Sequence, residues 1–336
     1  MQPTNGLLLI NLGSPSAPTE AAVRSYLKEF LSDPRVMDIP FLVRQMVLRL
    51  FILPKRPQKV APKYKEIWGE TGAPLIEFSS TITSKVQRIL GPDWKVDLAM
   101  RYGEPDLEAS LESFRRAKVQ KLVILPLFPQ YASATSGSVI EKVFQVIQSW
   151  MTIPSVTVIN QFYDHPALIQ GFVDRARSVI NEKTDHLLFS FHGLPVRHLT
   201  QSDSAGTCLQ TDSCCAQPQA AKSGCYKAQC FATAQAIVDL EPAKLPWSVA
   251  FQSRLGKDEW IGPNLLDELK KLVDSGVKNV VVYCPSFVAD CLETLEEIEI
   301  AARETFSEFG GETLSLVPSL NDNDDWAKGI TQIIQS

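Results

Sequence analysis

Histidine is scarce in this chain. Only His165, His186, His192 and His198 occur among 336 residues, so chemistry that rests on imidazole has few places to sit. A basic excess is also missing, and the formal net charge is −5, which argues against a nucleic-acid binder. No stretch approaches the roughly 18 to 20 apolar residues that a bilayer-spanning helix needs. The segment Met1–Gly6 has neither the basic run nor the apolar run of a signal peptide, so the expected location is cytoplasmic. No G-x-G-x-x-G or P-loop pattern follows an apolar run, and a nucleotide is not the expected ligand.

What is present is strand–helix alternation. Apolar runs at Gly6–Asn11, Trp94–Met100, Leu122–Pro126, Val156–Asn160, His186–Phe191, Ser248–Gln252, Asn279–Cys284 and Thr313–Val317 read as buried strands. Segments of helical period lie between them. The pattern predicts an α/β protein of two doubly wound, Rossmann-like units, each with a four-stranded parallel sheet. The expected domains are residues 1–162 and 163–320, with residues 321–336 forming a closing helix packed back on the first. A faint internal echo supports the duplication. Lys121–Phe128 and Asn279–Phe287 are each a buried strand, a proline and a phenylalanine, followed by a small-residue loop and a helix. Ligands of such sheets bind beyond the carboxyl ends of the strands, so the echo points to two loops facing one cleft.

Two stretches break the alternation. Residues 39–65 hold the apolar run Phe41–Pro54 and seven basic residues with no acid. An apolar helix edged by basic side chains suits a membrane interface, or a lip for a flat apolar ligand with carboxylate tails. It also suits a core helix followed by a solvated basic loop. The second break, Ser202–Gly224, is rich in polar residues and cysteine and reads as an inserted loop.

His192 stands out by position. It ends the apolar strand of Phe189-Ser190-Phe191-His192-Gly193-Leu194-Pro195, where the following glycine and proline make a sharp turn. That places an imidazole at the carboxyl edge of a sheet, able to bind a borderline metal or accept a proton. The other histidines read as structural, with His165 at a helix start, His186 opening a strand and His198 in a polar loop. Asp290, Glu293 and Glu297 recur on one helical face, with Glu296 and Glu299 flanking. Acids are favoured near a helix N-terminus by the macrodipole. This helix follows the strand ending at Cys284, however, and its carboxylates could carry a metal inward or protons outward.

Several ordered motifs together resemble the ferrochelatase family. They are Asn5–Pro15, Met100–Pro105, Phe128–Tyr131 with Thr135–Ser138, Ser190–Pro195, Phe251–Arg254, Trp260–Pro263 and Asp290–Leu295. The resemblance implies Fe2+ insertion into protoporphyrin IX to give protohaem, a lyase reaction. It makes His192 and Glu293 the groups that meet the substrate Fe2+, as ligand or as proton acceptor, and Asp290 and Glu297 the acidic relay. It makes Arg101, Tyr102, Tyr131 and Trp260 pocket residues, with Phe51 and Phe287 as further candidate walls. Residues 41–54 become a peripheral membrane and porphyrin lip, with Lys55 and Arg56 suited to the porphyrin propionates. Another tetrapyrrole, coproporphyrin or a sirohydrochlorin, is the enzymatic alternative. A haem-binding or haem-delivery module without catalysis is the other.

Five of the seven cysteines, Cys208, Cys214, Cys215, Cys225 and Cys230, fall within 23 residues. Such a cluster in a cytosolic chain suggests metal binding more than disulfides. Animal relatives carry a histidine where Cys291 stands, and Ser133 takes the place of one of their cluster cysteines, so an animal-type cluster is not expected. The internal cysteine-rich segment resembles that of some bacterial relatives that hold a 2Fe–2S cluster. Cys208, Cys225, Cys230 and one of Cys214 and Cys215 would supply the four thiolates, with Zn2+ as the rival occupant.

Overall fold

The computed structural model describes residues 3–335 except 204–205, 207, 212, 217 and 255–257, so a few positions of the expected insert lie outside the described residues. The chain divides into two compact units. One comprises Met1–Phe128, Ala132–Gln161 and Asn321–Ser336, the other Pro129–Tyr131 and Phe162–Leu320.

The first unit runs β1 (Asn5–Asn11), α1 (Glu20–Phe30), α2 (Phe41–Val47), α3 (Arg56–Ile67), α4 (Pro74–Leu90), β2 (Trp94–Met100), α5 (Leu107–Ala117), β3 (Lys121–Pro126), α6 (Ser138–Ile147) and β4 (Ser155–Val158). Its strands are all parallel in the order β2-β1-β3-β4. A parallel sheet is covered on both faces, which is why β1 reads as an unbroken apolar run. Leu7, Leu8, Leu9 and Ile10 are fully buried, worth roughly 1.5–3 kcal/mol each. Helix ends follow local chemistry. Asp106 caps α5 by accepting from the Ala109 N–H at 2.8 Å. Pro74 opens α4, and Gly91, at φ +75°, closes it.

The second unit runs α7 (Pro166–Ala176), β5 (His186–His192), α8 (Val196–Ser202), α9 (Pro218–Lys222), α10 (Tyr226–Leu240), β6 (Trp247–Gln252), α11 (Leu265–Asp274), β7 (Asn279–Tyr283), α12 (Arg303–Glu308) and β8 (Thr313–Leu316). Its sheet repeats the first, parallel throughout in the order β6-β5-β7-β8. Chain order reverses at β5, with β6 on one side and β7 on the other, and that crevice is where such sheets bind ligands. The last helix, α13 (Asp324–Ile333), packs on α4 of the first unit.

Among the described residues, three π-helices interrupt the regular pattern, at Leu48–Ile52, Ser133–Gly137 and Leu292–Ala302. The last two occupy equivalent places, each after the third strand of its unit and each running into an α-helix. They give the sequence echo a structural form. Two local expectations change. The basic stretch after Pro54 is helical, as α3, because Pro57 stands in the first turn, where no intrahelical N–H is needed. His198 lies in α8 and is buried rather than sitting in a polar loop.

Candidate active site

His192 is the last residue of β5, paired in register with Gln252 at the end of β6. Its Nδ1 lies 2.6 Å from the Gly193 carbonyl oxygen. A carbonyl can only accept, so Nδ1 carries a proton, and in the neutral ring Nε2 keeps its lone pair for a metal or a proton. Gly193 has no alternative at this corner. A Cβ there would lie 2.8 Å from the Gln252 carbonyl oxygen and 3.1 Å from the Trp260 ring. The missing side chain lets Trp260 close against the strand end, where a bridge pairs it with Pro195.

The acidic residues lie on the π-helix Leu292–Ala302. Its i→i+5 bonds widen each turn, so the i, i+3, i+7 face expected of an α-helix does not apply. Cys291 caps it. The Cys291 backbone N–H donates to the Thr294 hydroxyl at 3.0 Å, and the Cys291 side chain accepts from the Thr294 N–H. Asp290 is buried and anchors the start, accepting from the Thr294 hydroxyl at 2.9 Å and from the Ser319 N–H at 3.3 Å.

Gln252 and Ser253 join the histidine strand to the acids. The Gln252 amide donates to the Glu293 carbonyl oxygen at 2.8 Å and to the Glu297 carboxylate at 3.1 Å, while accepting from the Ser190 hydroxyl at 2.7 Å. Ser253, held at φ +65°, also donates to Glu297. Burial pushes the Glu297 carboxyl above its ordinary 4.5, and the Glu293 charge adds to the rise. Ser253, His192 and Gln252 oppose it. Glu297 thus feels both Glu293 and His192, and the three form one electrostatic group. Glu293 also touches the Cys291 thiol, which burial, above all, holds protonated. In the sequence Gln252 and Ser253 stand only as part of the Phe251–Arg254 motif. The signal that could have found them is their place at the end of the strand neighbouring His192.

Arg101 and Tyr102 belong to the first unit. Asp33, which no sequence motif marks, gathers them. Its Oδ2 accepts from Arg101 Nη2 at 2.6 Å and from the Tyr102 hydroxyl at 2.8 Å, and Arg101 Nε reaches the Ser138 hydroxyl at 2.7 Å. Burial pushes the Asp33 carboxyl up. Ser138, the Arg35 N–H, Tyr102 and Arg101 together outweigh it and hold the carboxyl below its ordinary 3.8. In the lip, Phe41, Leu42, Met46, Leu50 and Phe51 are all at least half exposed. Arg44 turns inward and donates to the Met37 and Ile39 carbonyl oxygens. Lys55 is exposed just before α3, and Arg56 starts that helix. In the second unit, the Tyr131 N–H donates to the Gln229 side chain at 2.8 Å. Phe287 packs against the β7 core. His165 caps α7, and His186 pairs with Ser248 at 2.9 Å.

The cysteines of the insert are free thiols. Cys214 and Cys215 sulfurs stand 3.6 Å apart. A hydrogen bond from Cys215, aided by the Ala228 and Lys227 N–H groups, draws the Cys225 thiol down to about 6 against the opposing effect of burial. Burial, then Cys225 and Cys214, raise Cys208. Cys230 is fully buried beside Tyr226. Among the described residues, no three His, Cys, Asp or Glu side chains converge as a metal site.

Comparison with known proteins places these features in a family. The family model described as Ferrochelatase matches residues 4–336. The chain is 44% identical to a ferrochelatase of Pseudomonas fluorescens (strain Pf0-1), covering 98% of this chain and 97% of that protein. It is 42% identical to one of Coxiella burnetii (strain CbuK_Q154), covering 98% and 92%. Among solved structures, SirB from Bacillus subtilis with Fe3+ superposes with a TM-score of 0.55 at 12% identity, covering 99% of this chain and 94% of that one. That likeness speaks for the fold alone. The chain belongs to the ferrochelatase family.

Proposed function

We propose that this chain inserts Fe2+ into protoporphyrin IX, the last step of haem synthesis, with His192 and Glu293 as the groups that meet the metal. Family membership makes it a metal chelatase, a lyase. The observation that carries the site assignment is the Gln252 side chain, which stands in register with His192 at the carboxyl end of the sheet and donates to both the Glu293 carbonyl oxygen and the Glu297 carboxylate. Insertion displaces two pyrrole protons. The free Nε2 of His192 is suited to take a proton or hold the iron. Glu297, with its raised affinity for protons, continues the relay, and Asp290 lies at the head of the same helix. Trp260, Tyr131, Arg101 and Tyr102 are the residues proposed to bind the porphyrin, with Lys55 and Arg56 for its propionates. Following haem formation from Fe2+ and protoporphyrin, by loss of porphyrin fluorescence, tests the reading. Tight haem binding without turnover would leave the non-catalytic module in its place.

The exposed apolar side chains of residues 41–54, with Lys55 and Arg56 beside them, support peripheral contact with the inner face of a membrane by a cytoplasmic protein. No helix of the described residues is long and apolar enough to cross one. A 2Fe–2S cluster is the occupant proposed for the insert, held by Cys208, Cys225, Cys230 and one of Cys214 and Cys215. What supports it is the donor chemistry: five thiols lie within one short segment, Cys215 contacts both Cys214 and Cys225, and Cys225 is drawn toward thiolate. The cluster would brace the segment, leaving the chemistry to His192 and Glu293. A red-brown protein with visible absorbance fits this assignment. A colourless protein with stoichiometric zinc would assign the thiols to Zn2+ instead.

A further inference from the structure

The apolar lip is fastened at both of its ends. At the far end, Arg24 of α1 donates to the Leu53 carbonyl oxygen. At the near end stands the turn Asp33-Pro34-Arg35, just beyond α1. The Asp33 carbonyl oxygen accepts from the Val36 and Met37 N–H groups at 3.2 and 3.0 Å, and its Oδ1 accepts from the Arg35 N–H at 2.7 Å. Its Oδ2 accepts from the Ser138 hydroxyl at 2.5 Å. The Arg35 side chain runs to the same segment. Its Nη1 donates to the Ser133 hydroxyl at 2.9 Å, and its Nε donates to the Glu141 carboxylate. One short turn thus grips the π-helix Ser133–Gly137 and the start of α6 at Ser133, Ser138 and Glu141. Arg44 of α2 donates to the Met37 and Ile39 carbonyl oxygens at 3.0 and 3.1 Å, which ties the first helix of the lip back to that turn.

The two side chains of the turn differ in what their loss does. Asp33 is buried and holds Arg101 and Tyr102, so removing it reaches the fold. Arg35 and Glu141 keep 37% and 40% of their side chains exposed. An ion pair so open to water contributes little to stability, yet its direction fixes where the chain leaves the body. The apolar face of Phe41, Leu42, Met46, Leu50 and Phe51 follows at once. We propose that Arg35 is a positioning residue that sets the porphyrin-facing lip by fastening its root to Ser133 and Glu141. The inference rests on the reading of residues 41–54 as that lip. A shift at the root displaces every lip side chain beyond it, and a misplacement of about 1 Å is enough to impair a bound geometry. His192 and Glu293 stand on elements of the second unit, so the effect falls on porphyrin binding rather than on Fe2+.

Trypsin reads the lip directly, because Arg49 and Lys55 are both exposed within it or at its end. Cleavage of the folded protein follows the population of the open form. Arg35→Glu is expected to speed cleavage at these two sites about fivefold, the upper range for an exposed pair. The Kd for protoporphyrin, measured by quenching of tryptophan fluorescence, is expected to rise by a similar factor. KM for Fe2+ is expected to stay unchanged and the urea midpoint to shift little. Adding Glu141→Arg restores the pair with its charges exchanged and is expected to bring both readings back toward wild type. Should Arg35→Glu fail to fold, Arg35→Gln and Ser133→Ala decide by the same two readings. Lip cleavage and porphyrin Kd indifferent to substitution of Arg35 would overturn the inference. So would a defect that Glu141→Arg does not repair. Faster cleavage at every site together with a fallen urea midpoint would mark general destabilisation and overturn it as well. A wild type that forms no haem would overturn the functional reading, whereas cleavage and porphyrin binding test the Arg35 anchor without turnover.

Discussion

The side-chain amide of Gln252 donates to the Glu297 carboxylate at 3.1 Å, from a strand position directly opposite His192. With its second donation, to the Glu293 carbonyl oxygen, it makes the end of β6 the brace between the histidine strand and the acidic helix. Gln252→Leu removes both donations and leaves the Ser190 hydroxyl without its acceptor in a buried place. The expected loss of stability is about 2–3 kcal/mol, read by chemical denaturation. Turnover per folded molecule is expected to fall as well, because Glu293 and Glu297 lose their common support.

Glu297 carries a stability penalty with a definite pH sign. Its folded carboxyl holds a proton more tightly than the ordinary value of 4.5, mainly through burial. Below that pH both folded and unfolded states are protonated and no penalty exists. Above it the unfolded chain ionises first, and the folded state is disfavoured progressively until pH passes the raised folded value. Glu297→Gln is therefore expected to be more stable than wild type at neutral and higher pH. The advantage should vanish below pH 4.5 in unfolding curves measured across the range. An advantage that grew on acidification would contradict the assignment.

Asp33 has the opposite sign. Its folded carboxyl lies below 3.8, held there by Ser138, the Arg35 N–H, Tyr102 and Arg101 against the cost of burial. The stabilisation is present above 3.8 and is lost as pH falls through the folded value. Asp33→Asn leaves the Arg101 guanidinium without its counter-charge. It is expected to cost about 3 kcal/mol at neutral pH. The difference from wild type should shrink under acid conditions.

Much of this architecture can be read in the residues themselves. The run Leu7–Ile10 needs two covered faces, so it announces a parallel strand, and His192 at the end of another such run announces a sheet edge. The echo between Lys121–Phe128 and Asn279–Phe287 foretells the doubled sheet. The π-helices are not legible. An eleven-residue acidic and apolar stretch fits i+4 and i+5 hydrogen bonding almost equally, and Cys291 and Thr294 fix the choice at the helix start. Asp33 and Gln252 are hidden for another reason. Each is an ordinary polar residue, and its importance lies in partners 68 and 41 residues distant along the chain.

The lip predicts a separation of stability from membrane binding. Leu42 is 79% exposed and Phe51 is 65% exposed. Leu42→Glu with Phe51→Glu is expected to shift folding stability by no more than about 0.5 kcal/mol per site. Co-sedimentation with anionic phospholipid vesicles should fall sharply in the double variant. Unchanged sedimentation would remove the membrane role from this stretch.

The central claim is that His192, with its Nδ1 proton held by the Gly193 carbonyl and its Nε2 free, handles the metal or its displaced protons. The most direct measurement is haem formation from Fe2+ and protoporphyrin by the wild type and by His192→Ala, compared per folded molecule. Turnover by the wild type is expected, with a loss on the order of 10²–10⁴-fold in the variant. Equal turnover by both proteins would contradict it.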